Sequence, residues 1–137
     1  MTTNSPHYSL TYHDPLRTTM QHIASGQEVI TDAPVDNNRL GQAFSPTDLV
    51  SAALASCVMT IMGIYCQSHQ IPFVSAEATI EKQMASDPRR ISKIVLHLDL
   101  SGNNWDEITK KKVIAAGKAC PVARTLEGNV SLEFNIH

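Results

Sequence analysis

Two cysteines carry the chemical potential of this chain. Cys57 lies deep inside the apolar run LVSAALASCVMTIM at 49–62. Cys120 lies in ACPVAR at 119–124, where a helical pattern breaks and restarts. A thiol inside a helix and a second thiol at a helix start suggest an attacking and a resolving cysteine. The corresponding chemistry is peroxide reduction by thiols, with no metal and no bound organic cofactor.

The thiolate, not the thiol, is the nucleophile, and burial alone makes it harder to form. The helix start cannot help Cys57, which lies eleven residues past Pro46, because the dipole effect fades after the first turn. A reactive Cys57 therefore needs a cation. The arginines are Arg17, Arg39, the Arg89–Arg90 pair and Arg124. Arg17 on a strand and Arg39 in the loop before the helix are the better choices, since the turn arginines are expected to face water. Cys120 has its own logic. With Pro121 at the first helical position it occupies the cap, where free backbone N–H groups favour a thiolate. Cys66 lies nine residues beyond Cys57. At about 100° per residue that is the opposite helix face, and Cys66 reads as an inert buried thiol.

The elements that must position these residues follow from local patterns. Alternation at 8–12, 17–23 and 28–31 predicts three strands, with Ser25–Gly26 as a tight turn between the last two. Residues 33–44 read as a polar loop, long enough to be a binding loop. Ser45, Pro46 and Asp48 form a strong helix start. That helix should run to about His69, where Gln70, Ile71 and Pro72 end it. Strands are expected at 74–84 and 91–100, turned by Asp87–Pro88. A second helix opens near Asp106 and Glu107, carries its lysines late as the macrodipole prefers, and runs to about Ala119. Pro121 begins a short helix that Gly128 closes, and 130–136 is a last strand. The order is βββ-α-ββ-α-α-β in one α+β domain spanning 1–137.

Composition narrows the function classes. The chain has 137 residues and a net charge of -2, with a pI near 6.3, so it carries no electrostatic footprint for nucleic acid. Three cysteines without a CxxC pair make neither a secreted disulfide framework nor a structural zinc site. The six histidines show no ligand spacing. The N-terminal residues lack a basic region followed by an apolar one, so a cytoplasmic location is expected. The segment 49–66 is apolar on every side. Its alanine, serine and cysteine content, and the lack of flanking anchors, favour a buried core helix over a membrane span. A domain this small cannot wrap such a helix alone, which hints at a dimer packing two central helices together.

The segment FSPTDLVSAALASC at 44–57, followed by ACPVARTL at 119–126, resembles the paired signatures of the OsmC/Ohr family of osmotically inducible and organic-hydroperoxide-resistance proteins. TDAPVD at 31–36 and MTIMG at 59–63 resemble its OsmC-like branch. The resemblance implies an OsmC-like fold in an intertwined homodimer with sites at the subunit interface. It implies an organic hydroperoxide reductase in which Cys57 attacks, Cys120 resolves, and a dithiol such as a lipoylated protein regenerates the pair. It also implies an arginine upstream of the helix, with Arg17 the better match by spacing and Arg39 the alternative. The reductase branch has a Glu directly after the helix-start proline, where it orients that arginine. Here the position holds Thr47, and the acid is Asp48. One residue rotates a helical side chain by about 100°, so Asp48 either substitutes for the Glu or caps the helix. The rival reading is a weakly active or non-catalytic protein of this fold, regulating by redox state or binding a small molecule.

Overall fold

The computed structural model describes residues 5–33 and 41–137. The elements follow the expected order, and the chain divides into two compact units, up to Leu49 and from Val50 to His137.

The first unit is an antiparallel sheet in the order β1 (Tyr8–His13), β2 (Arg17–His22) and β3 (Glu28–Asp32). The turn between β2 and β3 forms where the sequence places it. Gly26 takes φ +76, a value that favours glycine, and its N–H donates to the His22 carbonyl at 2.7 Å. This turn fixes the register that pairs Arg17 with Asp32 and Met20 with Val29. Leu10 pairs with Met20 on the other side. Leu10, Met20 and Val29 line an apolar depression of about 250 Å³ with Tyr8 and His22. Tyr8, Leu10 and Tyr12 are each at least 60% exposed. Most of loop 33–44, including Arg39, lies outside the described residues.

Helix α1 (Pro46–Ser68) starts as the sequence predicts. The Asp48 N–H donates to Ser45 Oγ at 3.1 Å, and the Ser45 N–H donates to Asp48 Oδ2 at 2.9 Å. These reciprocal bonds satisfy donors that a helix start otherwise leaves orphaned. The helix ends at Ser68 as Gln70 takes φ +56 and the Ile71 N–H donates to the Cys66 carbonyl at 2.8 Å.

In the second unit, β4 (Glu77–Ala85) and β5 (Arg90–Asp99) form an antiparallel hairpin, and β6 (Ser131–Ile136) pairs with β5 in parallel. A parallel pair needs a crossover. Helices α2 (Glu107–Lys118) and α3 (Pro121–Leu126) supply it. Ile94, Leu96 and Leu98 of β5 are fully buried. They share one core with Leu54, Val58, Met62 and Cys66 of α1 and Val113 of α2. The fourth strand starts at Glu77 rather than Val74 because a side chain claims the preceding backbone. Val74 and Ser75 donate to Asn103 Oδ1 at 2.7 and 3.3 Å, and Asn103 Nδ2 donates to the Ser75 carbonyl at 2.7 Å.

By length and composition α1 is also apolar enough to cross a membrane, and only 33% of its most apolar window is buried. The buried positions Ser51, Leu54, Ala55, Val58, Met62 and Cys66 form one stripe at helical spacing.

Candidate functional site

The two cysteines of the sequence pattern come together within the second unit. The Cys57 and Cys120 side chains are close enough for Cys57 to shift the Cys120 pKa, and all three cysteines are free thiols. Their environments are unequal. Cys57 is half-buried, whereas Cys120 is fully buried. Cys66 is buried as well, on the core stripe of α1.

Local structure explains each position. Cys57 sits one residue before Val58, which anchors α1 in the core at 0% exposure. Cys120 is the N-cap of α3, with Pro121 following it, and its sulfur accepts from the Ala123 N–H at 3.4 Å. Its own N–H donates to the Gly117 carbonyl at 3.1 Å, which ties it to the end of α2.

The cap does not lower the Cys120 pKa, against the expectation from sequence. Burial pushes this thiol up; the Ala123 N–H and, more weakly, the Val122 N–H pull it down; the neighbouring Cys57 pushes it up again. Desolvation disfavours the thiolate, and the N–H groups of Ala123 and Val122 at the start of a six-residue helix do not offset it. A negative charge on Cys57 thus holds the proton on Cys120. Burial also raises the Cys66 pKa.

Arg17 belongs to a polar cluster of the first unit. Its Nη2 donates to Asp32 Oδ2 at 3.4 Å and to Gln42 Oε1 at 3.3 Å. Asp32 Oδ2 also accepts from the Gln42 N–H at 3.1 Å. The Asp32 side chain is fully shielded and the Arg17 side chain is about a third exposed, at 32%. A buried carboxylate is tolerated where a cation and N–H donors meet it, so Asp32 fixes one end of the guanidinium. Arg17 Nε is buried without a partner. Asp48, the acid nearest the position of the family Glu, holds the Ser45 N–H.

Sequence reasoning missed Asp32 as an arginine partner, although a signal existed. Extending the hairpin through Ser25–Gly26 by one further pair sets Arg17 opposite Asp32. Stopping the strand at Thr31 left Asp32 out of that ladder. Among the described residues no three His, Cys, Asp or Glu side chains gather to hold a metal ion.

Known proteins resemble the chain along most of its length. The sequence pattern of the family described as OsmC-like protein matches residues 39–135. A Psychrobacter arcticus structure, named for an osmotic stress induced and detoxification response, is 38% identical, with a TM-score of 0.91 over 99% of this chain and 98% of that one. A Staphylococcus aureus protein named organic hydroperoxide resistance protein-like is 24% identical over 100 residues, 71% of either chain. A Legionella pneumophila structure named as an organic hydroperoxide resistance protein shares the fold at a TM-score of 0.75, with 16% identity over 94% of this chain and 95% of that one.

Proposed function

The chain belongs to the OsmC-like protein family, and from that premise we propose that it is a thiol peroxidase that reduces organic hydroperoxides in oxidative-stress defence. The observation that carries this reading is the thiol pair: two neighbouring sulfurs, one partly exposed and the other shielded with its proton held.

In the proposed cycle the Cys57 thiolate attacks the terminal oxygen of the hydroperoxide. The O–O bond breaks, sulfur keeps the OH as a sulfenic acid, and the alkoxide leaves as the alcohol after taking a proton. The Cys57 negative charge is then gone, and with it part of what held the proton on Cys120. The Cys120 sulfur displaces hydroxide from the sulfenic sulfur, forming the disulfide and, with the released proton, one water. An external dithiol, of which a lipoylated protein is one chemical fit, then reduces the disulfide by exchange. Condensation ahead of further peroxide attack protects Cys57 from irreversible sulfinic acid. Ile61, one turn after Cys57 on α1 and only partly buried, favours apolar peroxides over hydrogen peroxide.

Arg17 is the cation proposed to favour the Cys57 thiolate and to meet the charge developing on oxygen. Arg39 remains the alternative. The proposed assembly is a homodimer in the cytoplasm, where thiols stay reduced. Its support is uncovered apolar surface: Tyr8, Leu10 and Tyr12 on β1, and Ile64 on α1 at 53% exposure. Light scattering at micromolar concentration should give twice the chain mass, and a folded monomer would contradict it.

The rival, a redox-regulatory or small-molecule-binding protein, gains support from Thr47, which stands where the reductase branch has its Glu. A steady-state assay with cumene hydroperoxide and a dithiol reductant separates the two. The enzyme reading requires catalytic consumption; consumption no greater than an equal concentration of free thiol favours the rival.

A further inference from the structure

Gly117 lies one turn before Cys120, on the face of α2 that meets α1. A Cβ built there would stand 2.8 Å from both Cγ and Cε of Met62 and 3.1 Å from Cγ1 of Val58. Ordinary packing leaves no such approach. Met62 and Val58 are both at 0% exposure, so neither side chain can swing out to make room. The absent methyl is therefore what lets the end of α2 rest against α1 at this point.

The contact joins the two cysteine-bearing segments. Val58 adjoins Cys57 in the chain, and the Gly117 carbonyl holds the Cys120 N–H at 3.1 Å. Moving the end of α2 outward carries Cys120 with it, away from Cys57. A disulfide tolerates little displacement, since its Cα separation is confined to roughly 4.4–6.8 Å and its dihedral to narrow ranges. The geometry points to Gly117 as a positioning residue for the resolving step: it sets the effective concentration of the Cys120 thiol at Cys57. This rests on the proposed roles of the two cysteines. Gly117 touches no reacting atom and acts through the placement of Cys120.

The test is the equilibrium between the Cys57–Cys120 dithiol and disulfide in a glutathione redox buffer. It needs no peroxide and no turnover. Gly117→Ala should lower the effective concentration of the pair at least tenfold, and adding Met62→Ala to it should restore most of that loss. Gly102→Ala is the control. A Cβ there would collide with Ser75 Oγ, far from either cysteine in the chain, so it should lower the melting temperature and leave the thiol equilibrium within twofold. Should Gly117→Ala fail to fold, Val58→Ile fills the same gap from α1 and should shift the equilibrium in the same direction. An unchanged equilibrium in folded Gly117→Ala, or an equal shift in Gly102→Ala, overturns the proposal. A wild-type protein that forms no Cys57–Cys120 disulfide overturns the proposed cysteine roles and this inference with them. A wild-type disulfide that Gly117→Ala leaves untouched removes only the inference.

Discussion

Asp32 and Cys120 are both fully shielded from solvent, but their surroundings differ in kind. Asp32 meets a guanidinium and a backbone N–H on a β-hairpin of the first unit. Cys120 meets the N–H groups of Ala123 and Val122 and a second sulfur within the apolar core of the second. The hairpin supplies compensation for charge, and the core withholds it. That contrast matches a division of labour in which an arginine must keep its charge and orientation while a resolving thiol must wait with its proton on. It also shows that a helix cap does not by itself activate a cysteine, because the balance with burial decides.

The largest expected effects fall on the sulfur side. Cys57→Ser should reduce peroxide consumption to background. Cys120→Ser should permit one turnover and then stall, leaving a sulfenic acid that dimedone traps and that drifts to the sulfinic form. Reversed outcomes for the two variants would exchange their roles. On the arginine side, Arg17→Ala should slow the first attack by about 10²–10³-fold, the size of losing one preorganised donor. Rapid-mixing measurement of sulfenic acid formation checks this. If Arg39→Ala produces that loss instead, the alternative cation is the right one.

Asp32→Asn sharpens the comparison further. It keeps the shape of the side chain but removes the charge that orients Arg17, so it should slow attack by about tenfold through the same step. The condensation rate of a preformed sulfenic acid should not change. Equal slowing of both steps would mean that Asp32 merely stabilises the fold.

A smaller effect concerns alkaline pH. Cys66 and Cys120 have pKa values raised above the ordinary 9.0 by burial. Above that value the unfolded chain has released these protons while the folded chain retains them. Stability from both thiols is therefore complete below about pH 9 and is lost as pH rises through the folded values. Denaturant midpoints should fall progressively above pH 9, and Cys66→Ala should flatten part of that slope while leaving turnover nearly unchanged. The smallest loss is expected from Asp48→Ala, about 1 kcal/mol from removal of half the capping box. A larger fall in peroxide turnover than this stability loss explains would make Asp48 part of the catalytic set.

The sequence carried the sulfur side more completely than the arginine side for a physical reason. Capping chemistry at Ser45 and Pro121, the apolar run around Cys57, and the breaks at Gln70 and Gly128 are all encoded within a few residues of where they act. The order of elements could therefore be read from one end to the other. The Arg17–Asp32 pair depends on register across a turn, and a strand ended one residue early conceals it. The net position of the Cys120 pKa depends on burial by residues distant in sequence, which no local motif encodes. The start of β4 was misplaced for a similar reason, since Asn103 lies 28 residues from Ser75.

The central claim, that Cys57 and Cys120 form one redox couple, is tested most directly by peptide mapping after reaction with a single equivalent of cumene hydroperoxide. The account predicts one intrachain disulfide joining Cys57 to Cys120, with Cys66 recovered as a free thiol. A linkage through Cys66, or a chain recovered fully reduced after the peroxide has been consumed, would contradict it.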